Sequence, residues 1–269
     1  MTILLHSSKT MQSIANHGAV LRQPQLLTKA LELGEYLKKL SPEEIKENMD
    51  ISPPLALKTY ALISQWTTDP ANLSVAIDSF LGDIYSGLHA QDLTVREREY
   101  ADKVLIIFSG LYGCLRPLDG ICPYRLEMGY TLPDKRYADL VSFWEKDIAN
   151  CLPSEGLIVN LSAEEYYRTV IPYVDSTRIV TPHFLTINPS SKEAVFVVVH
   201  AKIARGAFAR WLITKKIQKK EKLNKFSDLG YSYSETLSTP DKPVFVCTEF
   251  GGKGRSIRVT KKSLQNKEK

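Results

Sequence analysis

Two arginines in one short stretch, Arg116 and Arg125, have the surroundings of anion-binding residues. They lie between Phe108 and Gly129, in FSGLYGCLRPLDGICPYRLEMG, with Pro117 and Pro123 close by. Proline fixes φ, so an arginine held near one loses little further entropy on binding. A guanidinium donates in a planar fork that suits phosphate or carboxylate. Gly110 and Gly113 bracket Leu111 and Tyr112, and glycines let the backbone turn tightly and approach a ligand. An equally good local account pairs the two arginines with Asp119 and Glu127 in a structural loop.

A third cation, Lys9, follows the β-rich run Thr2 to Leu5, within His6-Ser7-Ser8-Lys9-Thr10. Ligand groups collect at strand ends in α/β folds. A lysine beside three hydroxyls there forms either a phosphate-binding corner or a solvated turn. It is not a Walker loop, because the glycines and the trailing Lys-Ser/Thr pair are missing. Tyr85, between Gly82 and Gly87, either reaches a shared site or is a core tyrosine with a satisfied hydroxyl. Glu165 follows the apolar run Leu157 to Leu161, and Ser162 and Glu165 also spell a helix start with Ser162 as N-cap and Glu165 at N3. From Ala201 to Gln218, Ala204, Phe208, Trp211 and Leu212 recur at helical spacing and define a core face. Lys202, Arg205 and Arg210 lie broadly opposite, with Arg205-Gly206 at a point of close approach. They line a cleft or belong to a solvated basic face.

The elements that must position these residues are legible in outline. Val104 to Phe108 is an apolar run that suits a buried strand or a short buried helix. Leu26 to Leu40 has helical spacing. Ser41-Pro42-Glu43-Glu44 is a helix start, and Ser52-Pro53-Pro54 ends that helix and begins another. Thr94 to Glu97 spells a second capping box. Asp139 to Ile148 reads as one helix, Ala194 to His200 as a buried strand, and Val244 to Val246 as a last strand. Apolar strands interspersed with helices predict an α/β or α+β fold, read as a single compact α/β domain over 1–250 with a mixed sheet flanked by helices. The basic tail, 251–269, is expected to be disordered.

Hydrophobic content of 43% and charged content of 24% in 269 residues are ordinary for a soluble domain. Cys114, Cys122, Cys151 and Cys247 show no CxxC spacing and predict reduced thiols rather than disulfides or zinc. No metal and no cofactor is expected. The N-terminus lacks a basic leader, and no apolar run is long enough for a membrane span, so a cytoplasmic location is expected. Net charge is +5, unevenly placed. Ala201 to Lys225 holds nine basic side chains against Glu221, a net of +8. The tail from Gly252 carries +6, which leaves −9 on the remainder. An acidic body with two basic segments suits a polyanion partner.

Several blocks carry a family resemblance. SGLYGCLRPLD from Ser109, PYRLEMG from Pro123, NLSAEEYY from Asn160 and AKIARGAFAR from Ala201 resemble, in order, the YaaA family of bacterial peroxide-stress proteins. GDIYSGL from Gly82 resembles a further block. The likeness runs from about Ile3 to about Tyr233. At the first loop the family has a Ser-Pro-Ala-Lys-Thr type sequence; Lys9 and Thr10 match it, whereas His6 and Ser7 stand where serine and proline are usual. The resemblance implies a compact α/β fold with a basic cleft and a helix–hairpin–helix element. It also implies binding of double-stranded or structured DNA, and protection against peroxide linked to DNA repair and control of free iron. Gly110-Leu111-Tyr112-Gly113 is the candidate hairpin, with backbone N–H groups meeting phosphate; it has two residues between its glycines where the motif usually has one.

Two functions of different class follow. In the first, Lys9, Gly110, Gly113, Arg116, Arg125, Lys202, Arg205 and Arg210 contact DNA phosphate. In the second, the chain is an enzyme acting on a nucleic-acid base or nucleotide in a cleft lined by Lys9, Arg116, Arg125, Glu127 and Lys202. Glu127 or Glu165 would then serve as base, and Lys9 or Tyr85 as acid or nucleophile. Both readings expect Lys9, Arg116, Arg125 and Lys202 to converge on one concave site.

Overall fold

The computed structural model of the protein describes residues 1–15 and 21–252. All five residues of β1 (Thr2–His6) are buried, as in strands covered on both faces in α/β proteins. After β2 (Thr10–Met11) come three helices, α1 (Leu27–Leu37), α2 (Pro42–Met49) and α3 (Pro53–Ser64). The start of α2 is the expected one. The Ser41 hydroxyl accepts the Glu44 N–H, the Glu44 carboxylate accepts the Ser41 N–H, and proline stands at N1.

Short elements follow: β3 (Ser74–Val75), α4 (Ala76–Ser79), β4 (Phe80–Leu81) and α5 (Asp83–Leu88). The Thr94–Glu97 capping box opens α6 (Val95–Val104), which leads directly into the fully buried β5 (Leu105–Ser109). Next are β6 (Gly113–Leu115), β7 (Gly120–Ile121), α7 (Leu140–Trp144) and α8 (Asp147–Asn150). The single helix expected over Asp139 to Ile148 is broken by Glu145, whose φ of 46° lies outside helical space.

The chain continues through β8 (Ile158–Asn160), α9 (Glu164–Tyr167), β9 (Ile179–Val180), β10 (His183–Ile187) and β11 (Ala194–Val195). It closes with α10 (Val198–Thr214), β12 (Tyr231–Thr239) and β13 (Lys242–Cys247). The buried strand expected over Ala194 to His200 does not form. Pairing with β10 ends at Val195, Phe196 and Val198 are about half exposed, and Val198 already belongs to α10. A short apolar, β-branched run does not distinguish a strand from the first turn of a helix.

The main sheet has the order β6-β5-β1-β8-β9. β1 is central and runs parallel to β5 and β8; β9 is parallel to β8, and only β6 is antiparallel. The carboxyl ends of β1, β5 and β8 therefore share one edge, which carries His6, Ser109 and Asn160. A second sheet, β11-β10-β13-β12, is mixed. Its Phe184 and Phe245 stack on one another and meet Phe208 of α10. On another side α10 crosses α5 at very short range. A Cβ on Gly206 would lie 1.8 Å from the Ile84 carbonyl oxygen, and one on Gly87 2.0 Å from that of Ile203. The fold is thus mixed α/β, as expected.

Two expectations fail locally. Gly110 to Gly113 is the turn of the β5–β6 hairpin, not a surface loop between helices. All four residues are buried, Trp144 Nε1 donates to the Gly110 carbonyl at 3.0 Å, and a Cβ on Gly110 would meet the Leu126 carbonyl at 2.5 Å. These glycines serve packing, and their backbone faces no open surface. Cys114 and Cys151 are paired as a disulfide, whereas Cys122 and Cys247 are free and buried. Their sequence separation of 37 carries no spacing signal. Among the described residues no helix is long and apolar enough to cross a membrane. The tail beyond residue 252 lies outside the described residues.

Candidate functional site

The site begins where β1 ends. His6 is buried; its Nδ1 accepts the Ala163 N–H at 3.0 Å, and its ring stacks on Tyr166 with centroids 5.0 Å apart. Tyr85 donates to the His6 carbonyl at 3.0 Å, so its hydroxyl is committed to the backbone of this loop. Ser7 shares a hydrogen bond with the Tyr166 hydroxyl at 3.2 Å. These contacts clamp the chain just before Lys9.

Lys9 Nζ meets Glu127 Oε2 at 2.6 Å, and Arg125 donates to the Lys9 carbonyl at 3.1 Å. A turn closed by the Tyr130 N–H on the Glu127 carbonyl brings Tyr130 beside the same charges. Arg125 Nε and the Tyr130 hydroxyl are both buried without a well-formed hydrogen bond. Glu165 stands over this turn; a Cβ on Gly129 would come within 2.7 Å of its Oε2. The capping account of Glu165 fails, because α9 has Ala163 at its N-cap with no side-chain cap. Ser162 donates instead to Asn160 Oδ1 at 2.7 Å. From α10, Arg205 and Lys202 lie near enough for their charges to act on His6. A cavity of about 160 Å³ lies between the parts, lined by Ser7, Ser8, Lys9, Tyr85, Glu127 and Lys202 among others.

The site mixes charges: Lys9 and Lys202 line the cavity together with Glu127 and Asp83. Burial, then the charges of Arg205 and Lys202, push the His6 pKa down to about 3, so the imidazole is neutral. Burial also lowers the pKa of Arg205. Among the described residues no carboxylate pairs with Arg205 or Lys202. Burial works against the charge on Lys9, but the hydrogen bond and charge of Glu127 outweigh it and raise its pKa. Burial, then the like charge of Glu127, raises the pKa of Glu165. Two carboxyl groups close together, one with its pKa raised by burial, are an arrangement used for acid–base work.

Neutral His6 links pH to stability. Its folded pKa lies below the ordinary 6.5, so as pH falls the unfolded chain takes the proton first. The contribution is whole above about 6.5 and drains away toward about 3. At about 1.4 kcal/mol per pKa unit, roughly 2 kcal/mol is gone by pH 5. Asparagine can accept the Ala163 N–H without titrating. Urea denaturation at pH 7 and pH 5 should therefore show a smaller loss for His6→Asn than for the parent, and equal losses would mean that His6 is not the group.

Of the cations named from sequence, Lys9 and Lys202 line the cavity, Arg125 holds the Lys9 carbonyl, and Arg205 lies near enough to act on His6 from outside the lining. Arg116 does not join them. It follows β6, which runs back toward the amino end of β5, and its exposed side chain lies near Asp102 while its N–H donates to Asp119. Arg210 is turned away as well, donating to the carbonyls of Leu88 and His89 at the end of α5. Tyr85, Glu127 and Glu165 border the cluster. Tyr130 and His183, which feels the charge of Arg205, were not singled out from sequence. Tyr130 directly follows the Pro123–Gly129 block, the one signal that pointed to it.

Known proteins bear on the whole chain. The family model for the peroxide stress protein YaaA matches residues 1–237. A UPF0246 protein of Salinispora tropica is 54% identical over 258 residues, covering 96% of this chain and 98% of the relative. UPF0246 proteins of Roseobacter denitrificans and Burkholderia mallei are 36% and 35% identical, over 86% and 91% of this chain and 93% and 98% of their own lengths. The strand-end loop, the Pro123–Gly129 turn and the first part of α10, which together build the cationic cluster, all fall within the matched span, and the chain belongs to the YaaA family of peroxide stress proteins.

Proposed function

We propose that this protein serves the peroxide response by binding DNA, double-stranded or structured, through phosphate held at Lys9, Arg125, Lys202 and Arg205. One observation carries the reading: among the described residues, half-buried Arg205 and exposed Lys202 form no ion pair, beside a histidine kept neutral. Buried or crowded cations without counter-charges are costly, and an anionic ligand relieves that cost. Bound DNA would be shielded from oxidative damage and presented for repair. Duplex binding should weaken with salt, with a log–log slope of about −0.9 for each phosphate engaged. Filter binding or fluorescence anisotropy from 50 to 300 mM salt measures it, and Lys202→Ala should make the slope shallower by about 1. A flat salt response would sink the proposal.

A second reading, an enzyme acting on a nucleic-acid base or nucleotide, draws on Glu165. Its raised pKa, next to Glu127 and Lys9, gives the site a proton donor and acceptor that simple phosphate binding does not need. Mass spectrometry of DNA incubated with the protein decides: a released base or a cleaved strand supports chemistry, and unchanged DNA confines the site to binding.

A further inference from the structure

The cavity at Lys9 and Lys202 adjoins a second, larger one. Leu81, Gly82 and Tyr85 line both. The larger cleft encloses about 780 Å³ between α4, α5, α10 and the loop before β12. That volume falls within the range of roughly 300–1,000 Å³ usual for sites that take compact organic ligands. The smaller cavity has room for a phosphate and a few waters, at about 30 Å³ per water. Gly82, with φ of 121°, keeps the ridge between them low, and a side chain there would meet Ser8 Oγ at 2.9 Å.

The two compartments differ in charge. Lys9 and Lys202 line the smaller one together with two carboxylates, Asp83 and Glu127, the second of which Lys9 pairs. Among the described residues no lysine or arginine lines the larger one. Its walls are apolar at Ile77, Phe80, Ile203 and Leu229, with Gln12, Ser86 and two carboxylates, Asp78 and Asp228, among them. Asp78 is held by Arg98 in a bidentate pair at 2.6 and 2.7 Å. Cations stand only at the smaller end, so an anionic group is better placed there than in the larger cleft. A flat, largely apolar ring system bearing N–H donors suits the far end, where carboxylate and amide oxygens can accept.

We propose that the two cavities together hold one nucleotide unit, with its phosphate at Lys9 and Lys202 and its nucleoside in the larger cleft. This rests on the phosphate reading above and adds a base-holding compartment to it. Such a unit can come from a strand, as a nucleotide turned out of its stack, or from a free mononucleotide.

Titration with inorganic phosphate and with 2′-deoxyadenosine 5′-monophosphate, followed by NMR or calorimetry, tests the idea. The wild type should bind the nucleotide at least about tenfold more tightly than phosphate, a step of about 1.4 kcal/mol. Ser86→Trp fills the cleft and should abolish that advantage while leaving phosphate affinity unchanged. Gln91→Trp, at an exposed position on the cleft wall, repeats the test where folding is not at stake. Equal affinity for the two ligands in the wild type, or an advantage that survives both tryptophans, overturns the nucleoside compartment alone. Failure of the wild type to bind phosphate overturns the phosphate reading, and this inference with it. Duplex DNA carrying 2-aminopurine separates the sources. A fluorescence rise that Gln91→Trp removes assigns the cleft to an extruded nucleotide, and nucleotide binding without such a rise assigns it to the free one.

Discussion

Replacing Arg205 with Met should make the protein more stable and bind DNA worse. Most substitutions of a buried residue destabilise. Here the folded state carries a half-buried guanidinium that no described carboxylate neutralises, and burial alone lowers its pKa. An apolar side chain of similar length removes that desolvation cost; exchanges of this kind stabilise by about 1–4 kcal/mol where packing is kept. A gain near 2 kcal/mol would raise the melting temperature by about 4–8 °C in a chain of this size. A hydrogen bond to a charged group contributes about 1.5–3 kcal/mol, so DNA affinity should fall by roughly 10- to 150-fold. Calorimetry and DNA titration on the same preparation decide the matter. A lowered melting temperature would make Arg205 a structural strut, and a raised one with unchanged affinity would put the anion site elsewhere. Arg210→Met is the contrasting case. It strips two carbonyls of their donor, so it should cost stability and leave DNA binding alone.

Gly206→Ala should be the most damaging single-methyl change in α10. The added Cβ would stand 1.8 Å from the Ile84 carbonyl and 2.6 Å from the Leu88 amide nitrogen, both of them backbone atoms that cannot rotate aside. The helices must separate, and with them the Phe208 contacts to Phe184, Phe226 and Phe245. Overpacking costs about 1–3 kcal/mol where side chains can adjust; with backbone on both sides, about 3 kcal/mol or more is expected, or a fall of at least 6–12 °C in melting temperature. Gly87→Ala should behave alike, its Cβ meeting the Ile203 carbonyl at 2.0 Å. Thermal unfolding followed by circular dichroism measures both, and a shift under 2 °C for either would mean that the crossing is looser than described.

Where local chemistry alone determines an element, the sequence was enough. Ser41 and Thr94 cap their helices through side chains three residues away, and the apolar runs at Ile3, Leu105 and Ile158 are strands because each is covered on both faces. Lys9 at a strand end was legible for the same reason. Long-range context decided the rest. Ser162 has the right spacing for a capping box with Glu165, yet the Asn160 carboxamide takes its hydroxyl, which leaves Glu165 to the turn at Gly129. The glycines at 110 and 113 looked like a ligand loop, but what they admit is the backbone of Leu126 and the ring of Trp144. Arg116 was misplaced because the direction of β6 is not written in its residues. Arg205 and Arg210 fall on one nominally basic face, and only the crossing with α5 separates them into a free cation and a helix cap.

The central place of β1 has a consequence for biosynthesis. β1 leaves the ribosome before both strands it needs beside it, which begin at Leu105 and Ile158. Lys202 and Arg205 arrive later still. At about 5–20 residues per second, roughly 10–40 seconds pass between the emergence of Lys9 and that of Arg205. For the first roughly 5–20 seconds of it, until Leu105 emerges, the apolar Ile3-Leu4-Leu5 segment has no sheet to enter and is a natural client for a chaperone. The cation cluster cannot assemble on a partial chain, so a truncated product would lack the anion site while still displaying its stickiest strand.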